Sequence, residues 1–196
     1  MLKVAITGNI ASGKTFVETV LSSKGYPVYD TDSIAHTILA TSVEVREAFK
    51  DYDITNHRGE ISREKLGNLV FAKPDLKKML EDIIHPEVRK ELRKIFKFSG
   101  VADMIFVSVP LLFEANFDDM FDKSILVFAN DDIRLQRLMI RNDLTQEQAQ
   151  LRIDSQMPQD KKASKVDYII HNNSSIKDFE NEIFDVLKEL ENIEDK

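Results

Sequence analysis

Apolar and polar positions along this chain fall into two alternating regimes. Short runs rich in β-formers, Lys3–Thr7, Pro27–Tyr29, Met104–Val109, Ser124–Phe128 and Asp167–Ile170, predict five strands. Between them apolar residues recur every three or four positions, as on one face of a helix. Phe16, Val17, Val20 and Leu21 form the first such stripe, and Gly25 supplies its stop signal. Ser33–Leu39 reads as a second helix, and residues 42–98 read as helix almost throughout. That block is punctuated by a turn at Asn56–Gly59 and by breaks at Pro74 and Pro86. Leu66, Leu69, Val70 and Phe71 make one apolar cluster in it; Leu76, Met79, Leu80, Ile83 and Ile84 make the next. Further on, Asn130 is a candidate cap for a helix carrying Ile133, Leu135, Leu138 and Met139. Thr145 with Gln148 forms a capping-box pattern for a helix through Ile153. The last stripe, Ile176, Phe179, Ile183, Val186, Leu187 and Leu190, is followed by a charged tail expected to fray.

Strands that alternate with helices predict an α/β fold with a five-stranded parallel sheet flanked by helices. The unbroken apolar run at residues 104–109 fits a strand buried on both faces. In such sheets ligands bind at the carboxyl ends of the strands. The helical block at 42–98 is too long for a single crossover and reads as an insertion on the substrate side.

Composition narrows the class without naming an activity. A length of 196 residues fits one domain, and 42% hydrophobic with 31% charged residues is ordinary for a soluble protein. The net charge of −7 argues against a general nucleic-acid binder but leaves local phosphate sites open. The absence of cysteine removes disulfides, thiol catalysis and thiolate metal sites. No apolar run approaches membrane-spanning length, and a strand starting at Leu2 leaves no room for a signal peptide, so the cytoplasm is the expected compartment.

The chemistry begins directly after the first strand. Gly8-Asn9-Ile10-Ala11-Ser12-Gly13-Lys14-Thr15 is G-x-x-x-x-G-K-T, the phosphate-loop pattern, between a predicted strand and a predicted helix. Two glycines let the backbone curl so that its N–H groups, and the helix dipole behind them, face a polyphosphate. Lys14 would reach the β- and γ-phosphates, and the Thr15 hydroxyl would ligate Mg²⁺. Asp32, beyond the second strand, is either the group that takes the acceptor's proton or a helix cap. Arg137 and Arg141, four apart, either clamp phosphate oxygens or form a solvated face. Many phosphate-loop enzymes carry an acidic metal residue at the end of the third strand; Ser108 stands there, with no carboxylate beside it in the sequence.

Taken in order, the loop, Asp30-Thr31-Asp32-Ser33-Ile34-Ala35-His36, His85-Pro86-Glu87-Val88-Arg89, Pro110-Leu111-Leu112-Phe113-Glu114, Gln136-Arg137-Leu138 with Arg141, Arg152-Ile153 with Gln156, and Asp167-Tyr168-Ile169-Ile170 with Asn172 resemble the dephospho-CoA kinase family over nearly the whole chain. The resemblance implies a nucleoside-monophosphate-kinase type of fold. Its core would comprise residues 1–32, 100–140 and 160–196, with a helical CoA-binding insertion at about 33–99 and a short helical lid at about 141–159. It implies transfer of the γ-phosphate of ATP, with Mg²⁺, to the ribose 3′-hydroxyl of dephospho-CoA, by a monomer or weak homo-oligomer.

Asp32, Lys14 and Arg141 would be catalytic on this resemblance. Asn9, Ile10, Ala11, Ser12, Gly13, Lys14, Thr15, Arg137, Arg141 and Asn172 would bind ATP, and Thr15 the metal. Asp32, His85, Arg89, Leu111 and Glu114 would bind the acceptor, although Leu111, Leu112 and Phe113 also suit a core loop. Two departures from the family pattern stand out. Asn142 precedes Asp143 where an aspartate usually follows the lid arginine, and Asn172-Asn173-Ser174 replaces an Asn-x-Gly turn near the adenine. A different nucleoside or nucleotide kinase is one rival reading. A nucleotide-dependent switch is another, disfavoured by the lack of N-K-x-D and D-x-x-G series.

Overall fold

The computed structural model describes residues 1–100 and 102–194. The chain divides into two compact units, Met1–Asp30 with Ser99–Lys196, and Thr31–Phe98.

The first unit is built on five parallel strands: β1 (Leu2–Thr7), β2 (Val28–Asp30), β3 (Met104–Ser108), β4 (Lys123–Phe128) and β5 (Tyr168–His171). Their order in the sheet is β2-β3-β1-β4-β5, so β1 is central and the chain runs to both sides of it. Every residue of β3 is buried, as its unbroken apolar run demands. Helix α1 (Lys14–Ser23) and the long C-terminal α9 (Ile176–Glu194) cover one face. Val17, Val20 and Leu21 of α1 meet Phe179, Ile183, Leu187 and Leu190 of α9 over Val4, Ile6, Phe106, Ile125 and Val127. Ile176, expected on that stripe, is instead 69% exposed, because it opens the helix before its stripe reaches the sheet. Residues 195–196 of the charged tail lie outside the described residues.

Between β4 and β5 come α6 (Asp131–Asn142), α7 (Gln146–Asp154) and α8 (Gln159–Ala163). The predicted capping box is formed: the Thr145 side chain accepts from the Gln148 N–H, and the Gln148 side chain accepts from the Thr145 N–H. Asn130 does occupy the cap position of α6, yet its side chain makes no capping bond. Its backbone N–H donates instead to Asn173 Oδ1 at 2.7 Å, tying the start of α6 to the segment after β5.

The second unit is helical: α2 (Thr31–Thr41), α3 (Val43–Ala48), α4 (Arg63–Ala72) and α5 (Pro74–Phe98). Helix α5 is its spine, in contact with the other three. Pro74 starts this helix, where a missing N–H costs nothing. Pro86 does not break it: the helix runs 25 residues straight through. A proline removes one intrahelical hydrogen bond, at a cost of about 3 kcal/mol. The buried stripe Leu76, Ile84, Val88 and Leu92 spans both sides of Pro86 and carries the helix across it. Phe71, expected in a cluster with Leu66, is 87% exposed while Leu66 is buried. Among the described residues no helix is long and apolar enough to cross a membrane.

Candidate functional site

The turn after β1 is shaped by two positions with no room for a side chain. A Cβ on Gly8 would lie 2.7 Å from Ser12 Oγ and 2.9 Å from the Val127 carbonyl. Gly13 has φ +101° and precedes α1 in a left-handed conformation that disfavours any L side chain. A Cβ there would meet the Asn172 amide nitrogen, well inside van der Waals contact. Gly13→Ala is expected to lower folding stability by about 2 kcal/mol, from backbone strain and displacement of Asn172. Denaturant unfolding of the purified variant reads this; an unchanged midpoint would show that the loop tolerates a side chain.

The loop's backbone donors divide into two groups. The Ser12 N–H turns inward to the Asn9 carbonyl at 3.1 Å. Those of Ala11, Gly13, Lys14 and Thr15 have no acceptor among the described residues. Four unmet N–H groups around the positive end of a ten-residue helix form an anion cradle. Ser12 Oγ, buried in the loop, likewise has no hydrogen-bond partner among the described residues. Lys14 Nζ lies 3.0 Å from Glu18 Oε1 and in a short hydrogen bond to Ser108 Oγ. The cation expected at the cradle is thus held at the end of β3. Thr15 is exposed, and its hydroxyl has no partner among the described residues.

Asn172, at the end of β5, binds the loop and α6 together. Its side-chain NH₂ donates to the Ser12 carbonyl at 2.8 Å, and its Oδ1 accepts from Arg137 at 3.2 Å. Arg137 also donates to the Asn172 carbonyl at 3.3 Å, while its other terminal nitrogen is buried without a partner among the described residues. The loop residues, Asn172 and Arg137 therefore stand at one edge of the sheet. Arg141 does not join them: it is exposed one turn further along α6, with Nε 2.9 Å from Asn142 Oδ1.

The segment after β3 splits the two readings given to it. Leu112 and Phe113 are buried as core residues, while Leu111 is 39% exposed. Glu114 Oε1 lies 3.0 Å from Nζ of Lys162, a lysine with no exposed surface. Lys162 also donates to the Pro110 carbonyl at 2.9 Å, which accepts from the Thr7 hydroxyl at 3.3 Å as well. A buried ammonium is tolerated only with such partners. Sequence reasoning passed over Lys162 because Asp160-Lys161-Lys162 reads as a solvated charge run. Arg134 was missed for the same reason: it is 2% exposed and bonded to Asp131 and to the Ile10 carbonyl.

Ser108 has a carboxylate residue beside it after all. The parallel register of β2 and β3 sets Asp30 directly opposite Ser108, a neighbour that the linear sequence conceals. In the helical unit Asp32 lies in the first turn of α2. His85 and Arg89, four apart on α5, are both half-buried. Burial holds the His85 imidazole below its ordinary pKa and Arg89 adds to this, against the opposing pull of Glu81 and Asp82. Among the described residues no group of three or more His, Cys, Asp or Glu side chains could hold a metal ion unaided.

Comparison with known proteins places these features in a family. The family model described as dephospho-CoA kinase matches residues 2–178. A dephospho-CoA kinase of Enterococcus faecalis is 37% identical over 194 residues, covering 96% of this chain and 98% of that protein. Among solved structures, a Thermus thermophilus protein superimposes with a TM-score of 0.83 at 34% identity, covering 96% of this chain and 97% of its own. A dephospho-CoA kinase from Campylobacter jejuni gives a TM-score of 0.75 at 30% identity, covering 96% of each chain.

Proposed function

The chain belongs to the dephospho-CoA kinase family, and from that premise we propose that it transfers the γ-phosphate of ATP to the ribose 3′-hydroxyl of dephospho-CoA, giving coenzyme A and ADP. The observation that carries the phosphate half of this reading is the cradle of free N–H groups at Ala11, Gly13, Lys14 and Thr15. These donors take the phosphate oxygens, and Lys14 exchanges Glu18 and Ser108 for them. Arg137, with one terminal nitrogen unmet among the described residues, and Arg141, exposed on α6, neutralise the charge that develops during transfer. Asn172 keeps Arg137 and the loop in register.

Asp32 follows β2 by two residues and is the group proposed to accept the hydroxyl proton. The hydroxyl oxygen forms its bond to the γ-phosphorus as the bond to the β-phosphate oxygen breaks, and ADP leaves. His85 and Arg89 in the helical unit, and Leu111 and Glu114 after β3, are the residues proposed to contact the acceptor. Residues 141–159 would act as a lid that excludes water, so that the hydroxyl and not water takes the phosphate.

The residues present suit a metal that arrives with the nucleotide. A Mg²⁺ ion on ATP needs only one or two protein oxygens, and the hydroxyl of exposed Thr15, without a partner among the described residues, would be such a ligand. When bound there, Mg²⁺ would supply charge neutralisation to the phosphates during transfer.

Mass spectrometry of reactions containing ATP, Mg²⁺ and one acceptor each tests the reading. Dephospho-CoA is expected to gain one phosphate and give a product identical to coenzyme A, while adenosine, AMP and CMP stay unchanged. Phosphorylation of a nucleoside or nucleotide in place of dephospho-CoA would remove the acceptor assignment. ATP hydrolysis with no acceptor modified would instead favour a switch.

A further inference from the structure

We propose that Gln156 is a positioning residue for the phosphate loop, holding the loop's outer half to the α7–α8 connection so that its inner half stays open for ATP. The inference rests on the loop being the ATP site, as proposed above. It starts from an asymmetry in the loop's hydrogen bonds. The inner donors, at Ala11, Gly13, Lys14 and Thr15, are unmet, whereas the outer residues Asn9 and Ile10 are each bonded to the segment around residue 156.

The Ile10 N–H donates to Gln156 Oε1 at 2.8 Å, and the Ile10 carbonyl accepts from Arg134 at 3.4 Å. The Asn9 side-chain NH₂ donates to the Met157 carbonyl at 2.8 Å, and the Asn9 carbonyl accepts from Ser12. The apolar side follows the same division. Ile10 and Ala11 pack against the cluster of Leu138, Ala149 and Ile153 that joins α6 to α7. Consecutive residues, Gln156 and Met157, thus grip consecutive residues of the loop, 146 and 148 positions earlier in the chain.

A loop that must present several N–H groups to one anion gains affinity from being held in that shape beforehand. Ala11 has φ +63°, a conformation that a non-glycine residue adopts only when its surroundings fix it. The Ile10 N–H is the anchor immediately before that residue, and Gln156 supplies its only acceptor among the described residues. Gln156 sits within the segment proposed as the lid, so the same contact makes the loop's shape depend on where that segment rests.

The test is the affinity of the full-length protein for ATP with Mg²⁺, measured by titration calorimetry, together with the thermal midpoint of each variant. Gln156→Ala is expected to weaken ATP binding about tenfold, about 1.4 kcal/mol, with the midpoint little changed. Gln156→Glu keeps an acceptor oxygen at the same reach and is expected to restore most of the affinity. Asn9→Ala, which removes the neighbouring tie, is expected to weaken ATP binding in the same direction. An unaltered ATP affinity in Gln156→Ala overturns the proposal, as does a lowered midpoint at unaltered affinity, which marks a merely structural contact. Glutamate as damaging as alanine overturns it too. Absence of ATP binding by the wild-type protein would instead bring down the phosphate-site reading, and this inference with it.

Discussion

Lys14→Ala is expected to lower kcat/KM for ATP by about a thousandfold or more, while the protein stays folded. The two effects separate because Lys14 has little to do for the fold. Its ion pair with Glu18 is a single i,i+4 contact between largely covered side chains, 16% and 19% exposed, whose loss is expected to cost about 1–3 kcal/mol, less than the roughly 5–15 kcal/mol that keeps a domain folded. Its hydroxyl partner, Ser108, accepts from Lys14 at the end of β3 and loses that one donor. Against phosphate the same ammonium acts in a site that supplies charge stabilisation mainly where negative charge moves, and a thousandfold loss corresponds to about 4 kcal/mol of transition-state stabilisation. Steady-state kinetics and thermal melting on the same preparation decide the point. A variant with wild-type kinetics would remove Lys14 from the site. A loss of rate that merely tracked a fall in midpoint would assign the residue to folding.

What the sequence made legible is what depends on neighbours within a few residues. The phosphate loop, the strand before it and the helix after it are a local pattern. So is the capping box at Thr145 and Gln148, which forms as its spacing predicts. Five apolar runs matched five parallel strands, most plainly at β3, where burial of every residue leaves a continuous hydrophobic signature, while the edge strands β2 and β5 are mostly only partly buried. Pro86 misled because a proline's local effect is to break a helix, whereas the stripe from Leu76 to Leu92 decides the matter through packing.

The hidden part of the site is the part made by distant pairs. Lys162 and Arg134 look like solvated charges until the segments that bury them are in place. The Asp30 neighbour of Ser108 exists only through strand register, which a linear reading of either segment does not contain. Asn172 illustrates the middle ground. Its place after the last strand put it at the binding edge, but nothing local indicated that its amide would join the Ser12 carbonyl to Arg137 across 160 and 35 positions.

Asp32→Asn is expected to leave ATP affinity intact and to reduce turnover about a thousandfold, the scale on which a positioned general base acts. The substitution separates two roles that a carboxylate could have at this place. Asp32 lies in the first turn of α2, where a negative charge is favoured by the helix dipole by about 0.3–1 kcal/mol. If that were its whole purpose, asparagine would cost only this modest stability and no catalysis, because it has nearly the same shape and can still hydrogen-bond. A proton acceptor for the attacking hydroxyl has no such tolerance, since a neutral amide cannot take the proton. Stability in denaturant should therefore move by less than about 1 kcal/mol while kcat collapses and ATP binding persists. The rate of the residual reaction is informative as well. In phosphoryl transfer much of the acceleration comes from positioning and charge neutralisation, so a variant that has lost only its base should retain catalysis above the uncatalysed rate. Full turnover by Asp32→Asn would take the proton-accepting role away from this residue.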